Sequence, residues 1–188
     1  SIDLLDEVEH ARLDEIGNRA VLAQPAAALS VPALWAAQVA RTPESVALVC
    51  DDRSWTYRGV EEAANRLAHL LIDRGVGAGD VVALVFERCA QAFMAILAVL
   101  KTGAAYVPID PNHPDSPIEF ILDDAAPAAA VTTAALRSRL GGRDMVVIDV
   151  DDPAIEAQPD TELPYPSADA IAYLIYTSGT TGVPKGVA

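Results

Sequence analysis

Cysteine is nearly absent. The 188 residues contain two, Cys50 and Cys89, which give neither a disulfide framework nor metal-ligand spacing. Each lies in or beside an apolar run and reads as a small buried hydrophobe. Histidine is as sparse: His10, His69 and His113 are scattered without a partner pattern, so none is assigned a catalytic or metal role. Aromatic residues make up 5%, too few for the stacking platforms that bind single-stranded nucleic acids. Positive charge is scarce, 13 Lys and Arg against 27 Asp and Glu, for a net charge of −14. An acidic body repels nucleic acid and anionic membrane alike, and neither is expected as a partner. Long apolar runs are missing too. The most apolar window, residues 81–103, is interrupted by Glu87 and Arg88 and is too short on either side to span a bilayer. The charged, amphipathic opening (residues 1–18) does not read as a signal peptide, so a soluble, cytoplasmic protein is expected. The chain opens on Ser1 rather than Met, which points to a piece of a longer polypeptide.

What is abundant is aliphatic surface. Hydrophobic residues make up 52%, enough for the core of one ordinary domain. Residues 3–17 have a helical pattern, with Asp3 as N-cap and Leu5, Val8 and Ile16 toward one face. Residues 23–30 are Ala-rich, contain Pro25 and read as a linker. Ser30 then caps a second helix, with Pro32 in its first turn and Leu34, Trp35 and Val39 as its stripe. From position 45 onward strands and helices alternate. Residues 46–50 and 54–57 form a strand pair turned at Asp51 and Asp52. Residues 58–74 are an amphipathic helix: Val60, Ala63, Ala64, Leu67 and Leu71 lie inward, Glu62, Asn65, Arg66, His69 and Asp73 outward, and Gly75 stops it. Strands are expected at 81–86, 106–109, 128–132, 145–149 and 171–176, with helices at 90–101 and 117–125. Repeated βα units imply an α/β fold with a mostly parallel sheet flanked by helices. Segments 81–86 and 171–176 are apolar on both alternations and are expected as central strands. Residues 153–166, rich in Pro, Asp and Glu, read as a surface connection.

The chemistry is concentrated at the end of the chain. The last apolar run breaks into Thr177, Ser178, Gly179, Thr180, Thr181 and Gly182, followed by Pro184, Lys185 and Gly186. Gly179 and Gly182 let the backbone bend and bring N–H groups close to an anion. Four hydroxyls and the Lys185 ammonium add donors. This is the equipment of a polyphosphate-binding loop. A Ser/Thr/Gly linker shares the composition but needs neither an apolar strand before it nor a Lys fixed behind a Pro. The loop is not of the Walker type, in which Gly-Lys is followed by Ser or Thr.

The passage from Tyr176 to Gly186 resembles the phosphate-binding motif of the adenylate-forming enzymes, specifically of the adenylation domains of nonribosomal peptide synthetases; Val183 falls at a position that family leaves variable. Two further passages share the resemblance. Ser54-Trp55-Thr56-Tyr57 with Asn65-Arg66-Leu67-Ala68 is similar to the family's first core motif, with Gly59-Val60 in place of its usual Glu-Leu. Residues 100–111, LKTGAAYVPIDP, are very similar to the second. Both read as scaffold, Lys101 and Asp110 included. Pro117 stands where the family often has an Arg.

The resemblance implies part of the large N-terminal subdomain of an adenylate-forming enzyme. Residues 1–29 resemble the tail of a preceding condensation domain with its linker, and 30–188 the N-terminal part of an adenylation domain ending just past the phosphate loop. The implied activity joins an amino acid to ATP, giving aminoacyl-AMP and pyrophosphate, then passes the acyl group to the phosphopantetheine thiol of a downstream carrier domain. ATP and Mg²⁺ are the implied cofactors, and an MbtH-like protein is a further implied partner. Thr177, Ser178, Gly179, Thr180, Thr181, Gly182 and Lys185 would contact phosphates. No catalytic residue and no metal ligand is assigned, because the family's substrate-pocket residues, ribose-binding Asp and C-terminal catalytic Lys have no counterpart here. This stretch alone is expected to be inactive. An aryl- or fatty-acid ligase, a flavodoxin-like nucleotide binder and a non-catalytic interaction or folding unit are the alternatives.

Overall fold

The computed structural model describes residues 6–17, 29–177 and 184–188. Asp3, Leu5, positions 23–28 of the expected linker, and Ser178, Gly179, Thr180, Thr181 and Gly182 lie outside the described residues.

Helix α1 (Glu7–Ile16) starts at Asp6, whose carboxylate accepts from the Glu9 amide at 2.8 Å, while the Glu9 carboxylate accepts from the Asp6 amide at 3.0 Å. That reciprocal pair satisfies two end donors of the helix. The apolar face expected of it is not buried: Val8 and Ile16 are exposed. Helix α2 (Val31–Arg41) begins after Ser30 with Pro32 in its first turn, but the Ser30 hydroxyl makes no capping bond. Leu34 points to solvent. Trp35 carries the packing instead, its ring 5.0 Å from Tyr57 and 5.6 Å from Phe93.

Strands β1 (Val46–Cys50) and β2 (Arg53–Thr56) form an antiparallel hairpin. Thr56 then caps helix α3 (Tyr57–Asp73), its hydroxyl accepting from the Gly59 amide at 3.1 Å. Val60, Ala64, Leu67 and Leu71 are buried as the spacing requires. Cys50 and Cys89 are free and only half-buried, because Cys50 ends a hairpin strand and Cys89 occupies an N-cap rather than a core position.

The parallel sheet runs in the order β4-β3-β5-β6. β3 (Val81–Val85) leads through α4 (Ala90–Thr102) to β4 (Ala105–Ile109) on one side, then the chain crosses through α5 (Asp115–Ala125) to β5 (Ala129–Thr132) on the other. A 3₁₀ turn at Ala134–Leu140 leads to β6 (Val146–Asp149). This is the doubly wound order, in which reversal of direction places crossover helices on opposite faces of the sheet. Side-chain alternation along β3 shows both faces covered. Val82 and Leu84 pack with Leu67, Leu71, Ala95 and Val99, whereas Ala83 and Val85 pack with Ile118, Ile121 and Leu122. Each such Val or Leu contributes about 1.5–3 kcal/mol when fully buried.

Two charged groups are placed by this packing. Lys101, near the end of α4, is buried against Glu61 on α3, Nζ to Oε1 2.7 Å. The face of α3 expected to meet water instead receives the segment after α6 (Pro153–Glu156). Asn65 is buried and donates to the Asp160 carbonyl at 2.8 Å, Arg66 pairs with the Asp160 carboxylate at 2.9 Å, and His69 Nε2 lies 3.0 Å from the Thr161 carbonyl. A loop rich in Pro has unpaired carbonyls, and the polar face of α3 supplies donors for them.

The expectation that residues 171–176 form a central strand is overturned. Only β7 (Ile175–Thr177) is a strand, paired antiparallel with β8 (Lys185–Val187). Ahead of it, Tyr173 makes a single parallel bridge to Tyr106 on the free edge of β4, through Tyr106 N–H to the Ala172 carbonyl (3.1 Å) and Leu174 N–H to the Tyr106 carbonyl (2.9 Å). Leu174 and Tyr176 pack on the α5 side, while Ile171, Tyr173 and Ile175 are 57%, 43% and 42% exposed. Apolarity on both alternations states that both faces suit burial, not that both are covered.

Candidate functional site

The hairpin β7/β8 pairs Ile175 with Val187, Tyr176 with Gly186 and Thr177 with Lys185. Thr177 and Lys185 therefore face each other across the ladder, at the roughly 4.5–5.5 Å Cα spacing of antiparallel partners. Of the seven residues expected to hold phosphate, these are the two that the structure describes, and it brings them together. Lys185 is exposed.

Tyr176 fixes this hairpin to the rest of the fold. Its hydroxyl donates to Asp124 Oδ2 at 2.6 Å, from the last turn of α5. Its ring meets Phe120 edge-on, centroids 6.4 Å apart. Across the ladder, Gly186 leaves room for the ring: a Cβ there would lie 3.2 Å from Tyr176 Cζ. The phenol is pushed up to about 12, first by loss of water around it and then by the Asp124 carboxylate that accepts its proton. Asp124 and Phe120 were not legible as site residues. They lie over 50 positions from Tyr176, in a helix whose apolar pattern is explained by packing alone.

Beside the hairpin, a groove of about 860 Å³ opens at the carboxyl ends of β3 and β4, lined by Phe86, Arg88, Asp110, His113, Ile175 and Tyr176 among others. Carboxyl ends of parallel strands are where ligands sit in open α/β sheets. Asp110 accepts from the Asn112 amide N–H (2.9 Å) and side chain (3.1 Å), and the amide bond leads in holding its carboxyl below the usual range. This turn closes the rim. Where an Arg at position 117 would offer an ion pair, Arg139 serves α5 from the 3₁₀ turn by binding Asp115 and the His113 carbonyl. Lys101 takes no part, being paired with Glu61 between α3 and α4. Among the described residues, no group of three or more His, Cys, Asp and Glu could hold a metal, and no helix is long and apolar enough to cross a membrane.

A parallel sheet flanked by helices, with Thr177 and Lys185 paired beside a groove at the carboxyl ends of its strands, defines an α/β protein with a candidate ligand site. The chain belongs to the AMP-binding enzyme family, whose match covers residues 35–188. Its relatives are peptide synthetases. It is 60% identical over 188 residues to the isonitrile lipopeptide synthase of Mycobacterium tuberculosis, spanning 100% of this chain and 7% of that one. It is 43% identical over 148 residues to tyrocidine synthase 2 of Brevibacillus parabrevis, a match that covers 78% of this chain and 4% of that one. Solved adenylation domains share the fold. The N-terminal subdomain of Klebsiella oxytoca NpsA superposes with a TM-score of 0.74 at 31% identity, covering 85% of this chain and 41% of that one. The peptide synthetase FmoA3, in its alpha-methyl-L-serine-AMP-bound form, gives 0.83 at 30% identity, over 99% of this chain and 20% of that one. The chain thus spans a small fraction of its curated relatives, and it matches part of the N-terminal subdomain of an adenylate-forming enzyme.

Proposed function

We propose that residues 30–188 are the N-terminal part of an amino-acid-activating adenylation domain in a nonribosomal peptide synthetase, and that residues 1–29 are the tail of a condensation domain with its linker. The observation that carries this reading is the β7/β8 hairpin, which sets Thr177 opposite Lys185, the two residues that bracket a sequence of phosphate-binding composition. In the intact domain the amino-acid carboxylate attacks the α-phosphorus of ATP. A carboxylate–phosphorus bond forms, the bond to the bridging oxygen breaks, and pyrophosphate departs. Thr177, Ser178, Thr180 and Thr181 donate hydroxyls to phosphate oxygens, Gly179 and Gly182 admit close backbone approach, and Lys185 offsets the charge that grows on the leaving pyrophosphate. Mg²⁺ supplies further neutralisation of the polyphosphate when bound. The phosphopantetheine thiol of a downstream carrier domain then takes the acyl group and releases AMP. An MbtH-like protein is a candidate accessory partner. The 188 residues match 41% of the NpsA N-terminal subdomain chain and are not expected to make adenylate by themselves.

The amino-acid class is supported by the peptide-synthetase relatives and by the amino-acyl adenylate bound to FmoA3. An aryl acid is the second reading, because the NpsA subdomain is described in complex with 3-hydroxybenzoyl-AMSN. Pyrophosphate exchange by the intact polypeptide, against panels of amino acids and aryl acids, separates the two. Amino-acid-dependent exchange supports the first, aryl-acid-dependent exchange the second, and no exchange with either refutes adenylation as the function.

A further inference from the structure

The hairpin that carries Thr177 and Lys185 is weakly joined to the parallel sheet. A single bridge, Tyr106 to Tyr173, links the approaching chain to β4. Its outward side chains, Ile175 and Val187, are exposed. The firm contact is on the other side, where the Tyr176 ring rests between the Gly186 backbone and Phe120 and its hydroxyl meets Asp124 at 2.6 Å. Helix α5, which supplies both partners, is itself well anchored. Ile118, Ile121 and Leu122 are buried against β3 and β4, and Arg143 ties Asp123 at 2.7 Å and the Glu119 carbonyl at 3.3 Å. Tyr176 adjoins Thr177 in sequence and lies one step from Lys185 across the ladder, so where the ring is held decides where both ends of the loop stand.

We propose that Tyr176 and Asp124 are a positioning pair, which fixes the two ends of the phosphate loop on helix α5 and so sets the alignment of Thr177 and Lys185 toward the nucleotide. Neither residue touches substrate in this role. The proposal rests on the adenylation reading for its kinetic consequence and on the geometry alone for the tether. A hydrogen bond to a carboxylate contributes a factor of about 10 to 100 to a local opening equilibrium.

The test uses Tyr176→Phe, Asp124→Leu and Asp124→Asn in the intact synthetase, with pyrophosphate exchange and hydrogen exchange read on the same proteins. Tyr176→Phe and Asp124→Leu should each raise the KM for MgATP or lower kcat by about 3- to 30-fold, a fraction of the tether's worth, while leaving the KM for the carboxylic acid substrate within about twofold. Asp124→Asn keeps an acceptor oxygen and should retain most of the wild-type rate, and the double variant Tyr176→Phe/Asp124→Leu should be no worse than either single. The amides of Thr177, Lys185 and Val187 should exchange about 10- to 100-fold faster in the two disruptive variants. Unchanged amide exchange overturns the tether, whatever the activity. Faster exchange with unaltered MgATP kinetics, or equal losses for both substrates, overturns the positioning role. A wild-type protein without exchange activity refutes the adenylation reading instead, and the amide data then decide the tether by themselves.

Discussion

The ion pair between Lys101 and Glu61 is buried between two helices, away from the candidate site. The Lys101 side chain is 3% exposed and that of Glu61 12%, with 2.7 Å between Nζ and Oε1. The second carboxylate oxygen, Oε2, is buried and has no hydrogen-bond partner among the described residues. Lys101→Met fills the aliphatic stem and removes the charge, leaving the Glu61 carboxylate buried without its cation. Breaking a buried pair in this way costs about 3–5 kcal/mol, whereas replacing both partners with apolar residues is often neutral or stabilising. In a chain of this size that loss corresponds to roughly 6–20 °C in Tm. Urea unfolding of the 188-residue chain, followed by far-ultraviolet circular dichroism, should show Lys101→Met and Glu61→Leu each destabilised by about that amount. The double variant Lys101→Met/Glu61→Leu should recover to within about 1 kcal/mol of wild type, a coupling far beyond the about 0.5 kcal/mol scatter of independent sites. Singles that each cost under about 1 kcal/mol, or a double equal to the sum of two large losses, would refute the reasoning that desolvation dominates at this pair.

Two further outcomes follow from the same structure. Gly103 ends α4 at φ +82°, with Ala78 Cβ 3.3 Å from where its own Cβ would stand, so Gly103→Ala should cost about 1–2 kcal/mol from the left-handed backbone alone, read as a lower urea midpoint. Tyr176 should remain protonated above the ordinary phenol value of about 10 and ionise near 12 in an ultraviolet absorbance titration. Because its folded value is raised, the stability it contributes is complete below about pH 10 and is lost as pH rises toward 12; Tyr176→Phe should flatten that part of the stability curve.

The parts of the fold that follow from local pattern were legible in the sequence. Val60, Ala64, Leu67 and Leu71 recur at helical spacing, and they are buried in α3. Residues 81–85 are apolar throughout and occupy the middle of the sheet. What the pattern does not encode is the neighbour. Residues 171–176 look as apolar as β3, yet they lie outside β4 with one side uncovered. Asn65 and His69 sit at polar positions of an amphipathic helix, which says nothing of a loop nearly a hundred residues later whose carbonyls need donors. The same holds at the candidate site. Thr177 and Lys185 stand out as candidates because their residue types fit phosphate chemistry, while Asp124 does not, since a lone carboxylate near a helix end has many ordinary explanations.

Adenylate formation is the role proposed for the segment from Thr177 to Lys185, and the Lys185 ammonium is the group on which that role depends most. In the intact synthetase, Lys185→Ala should slow ATP–pyrophosphate exchange by about 10- to 1,000-fold, the scale of removing one charge-assisted donor from a developing charge. The preferred carboxylic acid substrate should stay the same. Exchange at the wild-type rate, or a switch of preferred substrate, would rule out Lys185 as a phosphate contact in adenylate formation.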